Sequence, residues 1–417
     1  MRRLAPPPRL MDRALLPRPL PAHLLSAMLL WLSSRAALTS LPAGWTCWNV
    51  PGEPCDSRPT ALADAIARAG PEPVRAALDR EIGQRAAAFL AGLDAYRRHP
   101  YRRAAPRVPV LWRAGAMRLL DYGRGRGGAA VLLVPSLINR YYILDLLPER
   151  SFVRHLAAAG LRPLVIDWGD PRAAERGFSL DDYISGPLGG ALTEAAAANG
   201  GRPVALLGYC MGGLLALAAA LLRPADVAAL VLLATPWDFH AERQSQAQLL
   251  GTLADWLPLL LDDGAAVPLW IIQSLFLALD PFLAERKFIR FAAMDPEGAA
   301  ARGFVALEDW INDGVPLAHR VAVECARSWY RDNAPARRRW RVGGRAMLPA
   351  ELEMPALVVL PARDRIVPPA SAAPLAAAIR RTTVMRPPFG HIGMMASGAA
   401  PAAVWRPIAE WLLAPPD

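Results

Sequence analysis

Lysine is nearly absent from this 417-residue chain: Lys287 is the single one. The 47 basic residues are therefore almost all arginine, and against 37 Asp and Glu they leave a formal charge of +10. Such a balance suits an acidic substrate or an anionic surface, or simply gives a solvated basic face. No nucleic-acid-binding motif accompanies it, so no nucleic-acid partner is expected. Cysteine is scarce as well. Cys47, Cys55, Cys210 and Cys325 form no Cys-x-x-Cys pair and no Cys/His zinc spacing, so no metal is expected. Cys47 and Cys55 flank a Pro/Gly loop in which they could pair, but a cytosolic chain keeps them reduced. The apolar run from Leu20 to Leu32 holds His23 and Ser26 and is short for a membrane span. No small-residue cleavage site follows it, as a signal peptide would require. It reads as an amphipathic helix, with Met11 an alternative start of the chain.

What is present is apolar bulk. At 53% hydrophobic residues, the chain can bury the core of one large or two medium domains. Its organising stretch is Gly208-Tyr209-Cys210-Met211-Gly212-Gly213. An apolar run, Val204 to Leu207, leads into it, and a Leu- and Ala-rich run, Leu214 to Leu222, leads out. That is strand, sharp turn, helix. Gly208-x-Cys210-x-Gly212 matches the nucleophile elbow of α/β-hydrolases, with Cys in place of Ser. Small residues two before and two after the nucleophile let strand and helix approach closely. The thiol then stands at a helix N-terminus, where the helix dipole favours thiolate. On these five residues alone, a buried and inert cysteine in a strand-to-helix turn fits as well.

The surrounding pattern alternates. Ala129–Pro135, Arg162–Trp168, Val204–Cys210, Val227–Ala234, Met354–Leu360 and Thr382–Met385 read as strands, and residues 108–122 as edge strands. Helical patterns separate them, so the fold class is α/β: a doubly wound, mostly parallel sheet. Residues 1–84 read as a Pro-rich tail and helices, with Trp31, Trp45 and Trp48 as packing residues. Residues 85–239 form the first part of an α/β-hydrolase core and 346–417 the second. Between them, 240–345 is rich in Leu, Trp and Phe and reads as a helical cap insertion, which suits a lipophilic substrate or product.

The partners of Cys210 follow in the order this fold requires: nucleophile, acid, His. Asp364 sits just past a strand end. His391, the last of six His, follows 27 residues later in a Gly-flanked loop. An Asp in a loop is otherwise a turn residue. The oxyanion-hole donors are expected to be the backbone N–H of Met211 and one near Leu137, in the loop after Ala129–Pro135.

Taken together, residues 85–412 resemble the polyhydroxyalkanoate synthase family. Gly208–Gly213 is similar to its Cys lipase box. Leu137-Ile138-Asn139-Arg140-Tyr141-Tyr142-Ile143-Leu144-Asp145-Leu146, followed by Pro148, Glu149 and Ser151, is similar to a long family-specific segment. Asp364-Arg365-Ile366-Val367-Pro368 and Gly390-His391-Ile392 are similar to its acid and histidine motifs, although many members have His where Arg365 stands. The resemblance implies an acyltransferase that polymerises (R)-3-hydroxyacyl-CoA into polyester and releases CoA through Cys210, His391 and Asp364. CoA enters as part of the substrate, and no further cofactor is implied. The implied partners are the acyl-CoA, the growing polyester chain, a second copy docked through the cap, and the polymer granule surface in the cytoplasm. The length, near that of the two-subunit type, adds a second synthase subunit. The same site would serve an intracellular depolymerase or thioesterase, and a non-catalytic granule-associated homologue would keep the same fold.

Overall fold

The computed structural model describes residues 17–40, 58–104, 106–123, 128–242, 244–262 and 264–414. Cys47, Cys55, Trp45, Trp48 and Met11 lie outside them. The described chain divides into two compact units. One comprises Arg102–Ile272 with 306–414, the other 17–101 with 273–305. The segment 240–345, expected as one cap, is thus shared: 273–305 groups with the N-terminal helices and the remainder with the sheet.

The first unit is built on an eight-stranded sheet. Its strands are β1 (Val110–Ala114), β2 (Met117–Asp121), β3 (Ala130–Val134), β4 (Arg162–Asp167), β5 (Val204–Tyr209), β6 (Val227–Leu233), β7 (Ala356–Val359) and β8 (Thr382–Met385). They lie in the order β1-β2-β4-β3-β5-β6-β7-β8. The β1–β2 hairpin runs antiparallel at one edge, and every pairing from β4 to β8 is parallel. The central strands are apolar throughout because both faces are covered: every residue of β3 and β7 is buried. The helix Met211–Leu222 is apolar on all sides, and Met211 through Leu221 are all buried, as expected for a helix enclosed by its own domain. The helical stretch from Leu180 to Ala198 passes through a π-turn at Ile184–Leu188 that contains Pro187.

Register positions the site. Val134 of β3 pairs with Gly208 of β5, and Gly208 pairs with Leu232 of β6. The carboxyl ends of these strands are level, so the loops that leave them emerge side by side. In open parallel sheets this edge is where ligands bind.

The second unit is helical. Leu20–Ser40, Arg58–Ala69 and Pro71–Arg98 are joined by Leu283–Ala292. Phe89, Leu93, Tyr96, Phe288 and Phe291 form its core, and Trp31 packs edge-on against Phe89 with centroids 6.4 Å apart. Arg85 donates to both oxygens of buried Glu285 at 2.8 Å. Leu20–Ser40 corrects an expectation: it is longer than the Leu20–Leu32 run and is not amphipathic. Leu24 and Trp31 pack on the core while Leu25, Met28, Leu29 and Leu32 are exposed, so apolar side chains surround the helix. Among the described residues, no helix is long and apolar enough to cross a membrane.

Candidate active site

Cys210 follows β5 directly and caps the helix Met211–Leu222. Its backbone sits at φ 57°, ψ −126°, a conformation that costs a non-glycine residue roughly 1–3 kcal/mol. Neighbouring backbone holds it there. The Cys210 N–H donates to Leu233 O at 2.8 Å, and Gly213 N–H donates to Cys210 O at 2.9 Å. The flanking glycines are required by space. A Cβ on Gly208 would overlap the backbone of Gly212 and Gly213, and one on Gly212 would overlap the carbonyl oxygens of Val134 and Pro135. The thiol is half-buried.

Asp364 and His391 come from the ends of β7 and β8. Their loops are laced together by Ala362 N–H to Pro387 O and Arg363 N–H to Phe389 O, both 2.9 Å. One oxygen of Asp364 accepts the N–H groups of Ile366 and Val367, each at 2.8 Å. The other lies 2.7 Å from His391 Nδ1. Asp364 is thus the turn residue its position suggested and a histidine partner at once. With Nδ1 committed to the carboxylate, Nε2 is the ring nitrogen left for Cys210, whose sulfur is near enough to act on the charge of the imidazole.

The electrostatics favour a charged imidazole. Burial alone would push the His391 pKa down. The Cys210 sulfur and the Asp364 carboxylate outweigh burial and raise it to about 10. The sulfur of Cys210, at the N-terminus of the helix Met211–Leu222, thus lies near a charged imidazole. Burial pushes the Cys325 thiol pKa well up, which leaves it inert.

Met211 is the first residue of its helix, where backbone N–H groups have no intrahelical acceptor. Leu137 is buried in the loop after β3. The level ends of β3 and β5 and the close approach of Gly212 to Pro135 bring these two backbone stretches alongside Cys210.

Sequence reasoning missed Tyr209 and Tyr330. The Tyr209 ring stacks on His391, centroids 5.1 Å apart, and its hydroxyl donates to His391 O at 3.1 Å. The available signal was a large polar aromatic ending an otherwise aliphatic strand. Tyr330, after helix His319–Glu324, is held edge-on by Phe239 at 5.0 Å. Burial raises its phenol pKa, and the nearby sulfurs of Cys325 and Cys210 add to this. With Trp329 stacked on Phe239 at 5.7 Å, an aromatic wall stands near the thiol. Among the described residues, no group of three His, Cys, Asp or Glu side chains is arranged to hold a metal ion.

Sheet order, elbow and acid–histidine loops define an α/β-hydrolase, and residues 129–396 match the alpha/beta hydrolase fold family. Within that class the relatives are narrower. The chain is 30% identical over 285 residues to the poly(3-hydroxyalkanoate) polymerase subunit PhaC of Thiocystis violacea, covering 68% of this chain and 80% of that one. It is 31% identical over 290 residues to the protein of the same name from Synechocystis sp., covering 68% and 77%. For that of Haloferax mediterranei the figures are 28% over 315 residues, 72% and 63%. The chain belongs to the poly(3-hydroxyalkanoate) polymerase family and, at that level, is a transferase.

Proposed function

We propose that this chain is a polyhydroxyalkanoate synthase that polymerises 3-hydroxyacyl units from their CoA thioesters, with Cys210 as nucleophile, His391 as acid and base, and Asp364 as its partner. The observation that carries the reading is the Asp364–His391 hydrogen bond held beside Cys210 at a strained elbow. The relatives named as polymerases support the substrate class.

In the first step the Cys210 thiolate attacks the thioester carbonyl. The new carbon–sulfur bond forms as the carbonyl electrons move onto oxygen. The N–H groups of Met211 and Leu137 would hold that oxyanion, each donor worth about 3 kcal/mol. The carbonyl re-forms, CoA sulfur departs and takes the proton from His391. The acyl group then rests on Cys210 as a thioester, an exchange of one thioester for another that is nearly balanced. In the second step the 3-hydroxyl of a monomer or chain gives its proton to His391 and attacks that acyl group, forming the ester and releasing the Cys210 thiolate. Asp364 keeps His391 in the tautomer both steps need and stabilises its charged form. Water must be excluded for the hydroxyl to win. The wall of Phe239, Trp329 and Tyr330 supports that exclusion.

These steps need no cofactor beyond the CoA of the substrate. A second synthase subunit, a homodimer and a granule surface belong to the same proposal. The test is intact-mass analysis after mixing with 3-hydroxybutyryl-CoA. Hydroxybutyryl units added to the Cys210 peptide, and none in Cys210→Ala, support covalent transfer. No adduct under rapid quench would contradict it.

A further inference from the structure

The oxyanion-hole loop, residues 135–142, has little regular structure of its own. An oxyanion donor works only if its N–H is already aimed before the reaction. The rigidity comes from a segment some 170 residues away in sequence. The chain leaving helix Ala299–Asn312 runs antiparallel to the loop, with Asn139 bridged to Gly314. Val315 N–H donates to Ile138 O at 2.9 Å, and Trp310 Nε1 donates to Arg140 O at 2.8 Å. Asp313 stands in the middle of this splint. Its Oδ1 accepts from Arg140 Nε at 2.9 Å and its Oδ2 from the Tyr142 hydroxyl at 3.0 Å. Both carboxylate oxygens therefore grip the loop, at points just past Leu137.

Other ties fix the near side. Ser136 Oγ accepts the Ile138 N–H at 3.2 Å, and Pro135 O accepts from Trp168 Nε1 at 3.0 Å. Arg140 also meets Asp170 at 3.0 Å, but the Asp170 side chain is 64% exposed against 35% for Asp313. The more exposed pair contributes less, so Asp313 is the stronger anchor. Its hydrogen bond from Tyr142 is to a buried ring, where a lost partner is felt more.

We propose that Asp313 is a positioning residue for acylation: by gripping Arg140 and Tyr142 it fixes the loop whose Leu137 N–H receives the oxyanion. This deepens the proposed function and rests on its assignment of Cys210 and the oxyanion hole. Asp313 itself touches no reacting atom in this scheme.

The test separates oxyanion stabilisation from thiol reactivity. Asp313→Asn, Asp313→Glu and Tyr142→Phe are compared with wild type in three assays. These are acylation by 3-hydroxybutyryl-CoA, acylation by p-nitrophenyl butyrate, and alkylation of Cys210 by iodoacetamide, which forms no oxyanion. Loss of one aimed donor costs on the order of 10²–10³ in rate. A misplaced one is expected to cost Asp313→Asn about 10-fold or more in kcat for both acylations, with KM little changed and alkylation at the wild-type rate. Asp313→Glu should recover part of the loss. Tyr142→Phe, the mildest change, should show a smaller drop of the same kind. Unchanged acylation of p-nitrophenyl butyrate in Asp313→Asn and Tyr142→Phe overturns the proposal, as does a parallel fall in alkylation. If wild type is acylated by the ester but not by the CoA thioester, the substrate assignment fails, and the ester assay still decides the role of Asp313.

Discussion

Asp364 divides its two carboxylate oxygens between its own turn and His391: Oδ1 takes two backbone N–H groups while Oδ2 lies 2.7 Å from His391 Nδ1. The turn fixes the carboxylate, and the carboxylate fixes the imidazole. Asp364→Asn is close in shape but removes the charge that helps hold His391 protonated. The His391 pKa should fall from about 10 towards the ordinary value near 6.5. Acylation should slow by two orders of magnitude or more, since general acid–base function is worth roughly 10²–10⁴. Histidine titration by NMR together with single-turnover CoA release checks both effects.

The raised His391 pKa sets a pH window. The charged imidazole is favoured in the folded chain, so its contribution to stability is complete below about 6.5. It declines above that and is lost as pH rises through about 10. Thermal melts of wild type and His391→Gln should therefore differ most at pH 6 and converge by pH 10.5. Alkylation of Cys210 by iodoacetamide should stay fast in wild type at pH 7. In His391→Gln it should be slower, since the base beside the thiol is gone.

Cys210→Ala should abolish turnover. Cys210→Ser keeps the elbow but loses the soft, easily ionised nucleophile and the thioester intermediate. It should be nearly inactive in transfer, and a fully active Ser variant would point to an ordinary esterase.

Tyr209 contributes a stacked ring and one hydrogen bond to the His391 carbonyl. Tyr209→Phe keeps the ring and gives up a bond worth about 1 kcal/mol, so kcat should drop only a few-fold. Tyr209→Ala removes the stack as well and should lower kcat much further, with KM little changed. Equal effects from the two variants would rule out ring stacking as the positioning device.

Gly212→Ala tests the elbow. The added methyl would meet the carbonyl oxygens of Val134 and Pro135, and overpacking of this kind costs about 1–3 kcal/mol. Since the displaced backbone leads into the Leu137 loop, acylation should suffer more than the melting temperature suggests. Kinetics and melts on the same preparation check this.

The sheet was legible because β3, β5, β6 and β7 are buried on both faces, which leaves nearly unbroken apolar runs. The order of Cys210, Asp364 and His391 was legible because the fold imposes it. The grip of Asp313 on Arg140 and Tyr142 was not: three common polar residues meet across about 170 positions, and no local pattern marks such a contact. The grouping of 273–305 with the N-terminal helices was hidden for the same reason, since an apolar helix face does not name its partner. The helix Leu20–Ser40 was misread because a short window of alternating Leu, Ala and polar residues mimics a sided helix. Over its full length the apolar positions spread around the axis.

The most direct test of the central claim is CoA release from 3-hydroxybutyryl-CoA by the purified chain, with the acyl product sized, alone and with a candidate second subunit. The account predicts CoA release matched by high-mass polyester and lost in Cys210→Ala. Stoichiometric free 3-hydroxybutyrate would contradict polymerisation and assign the site to hydrolysis. Absence of CoA release from short and longer acyl chains, with and without the subunit, would contradict catalysis altogether.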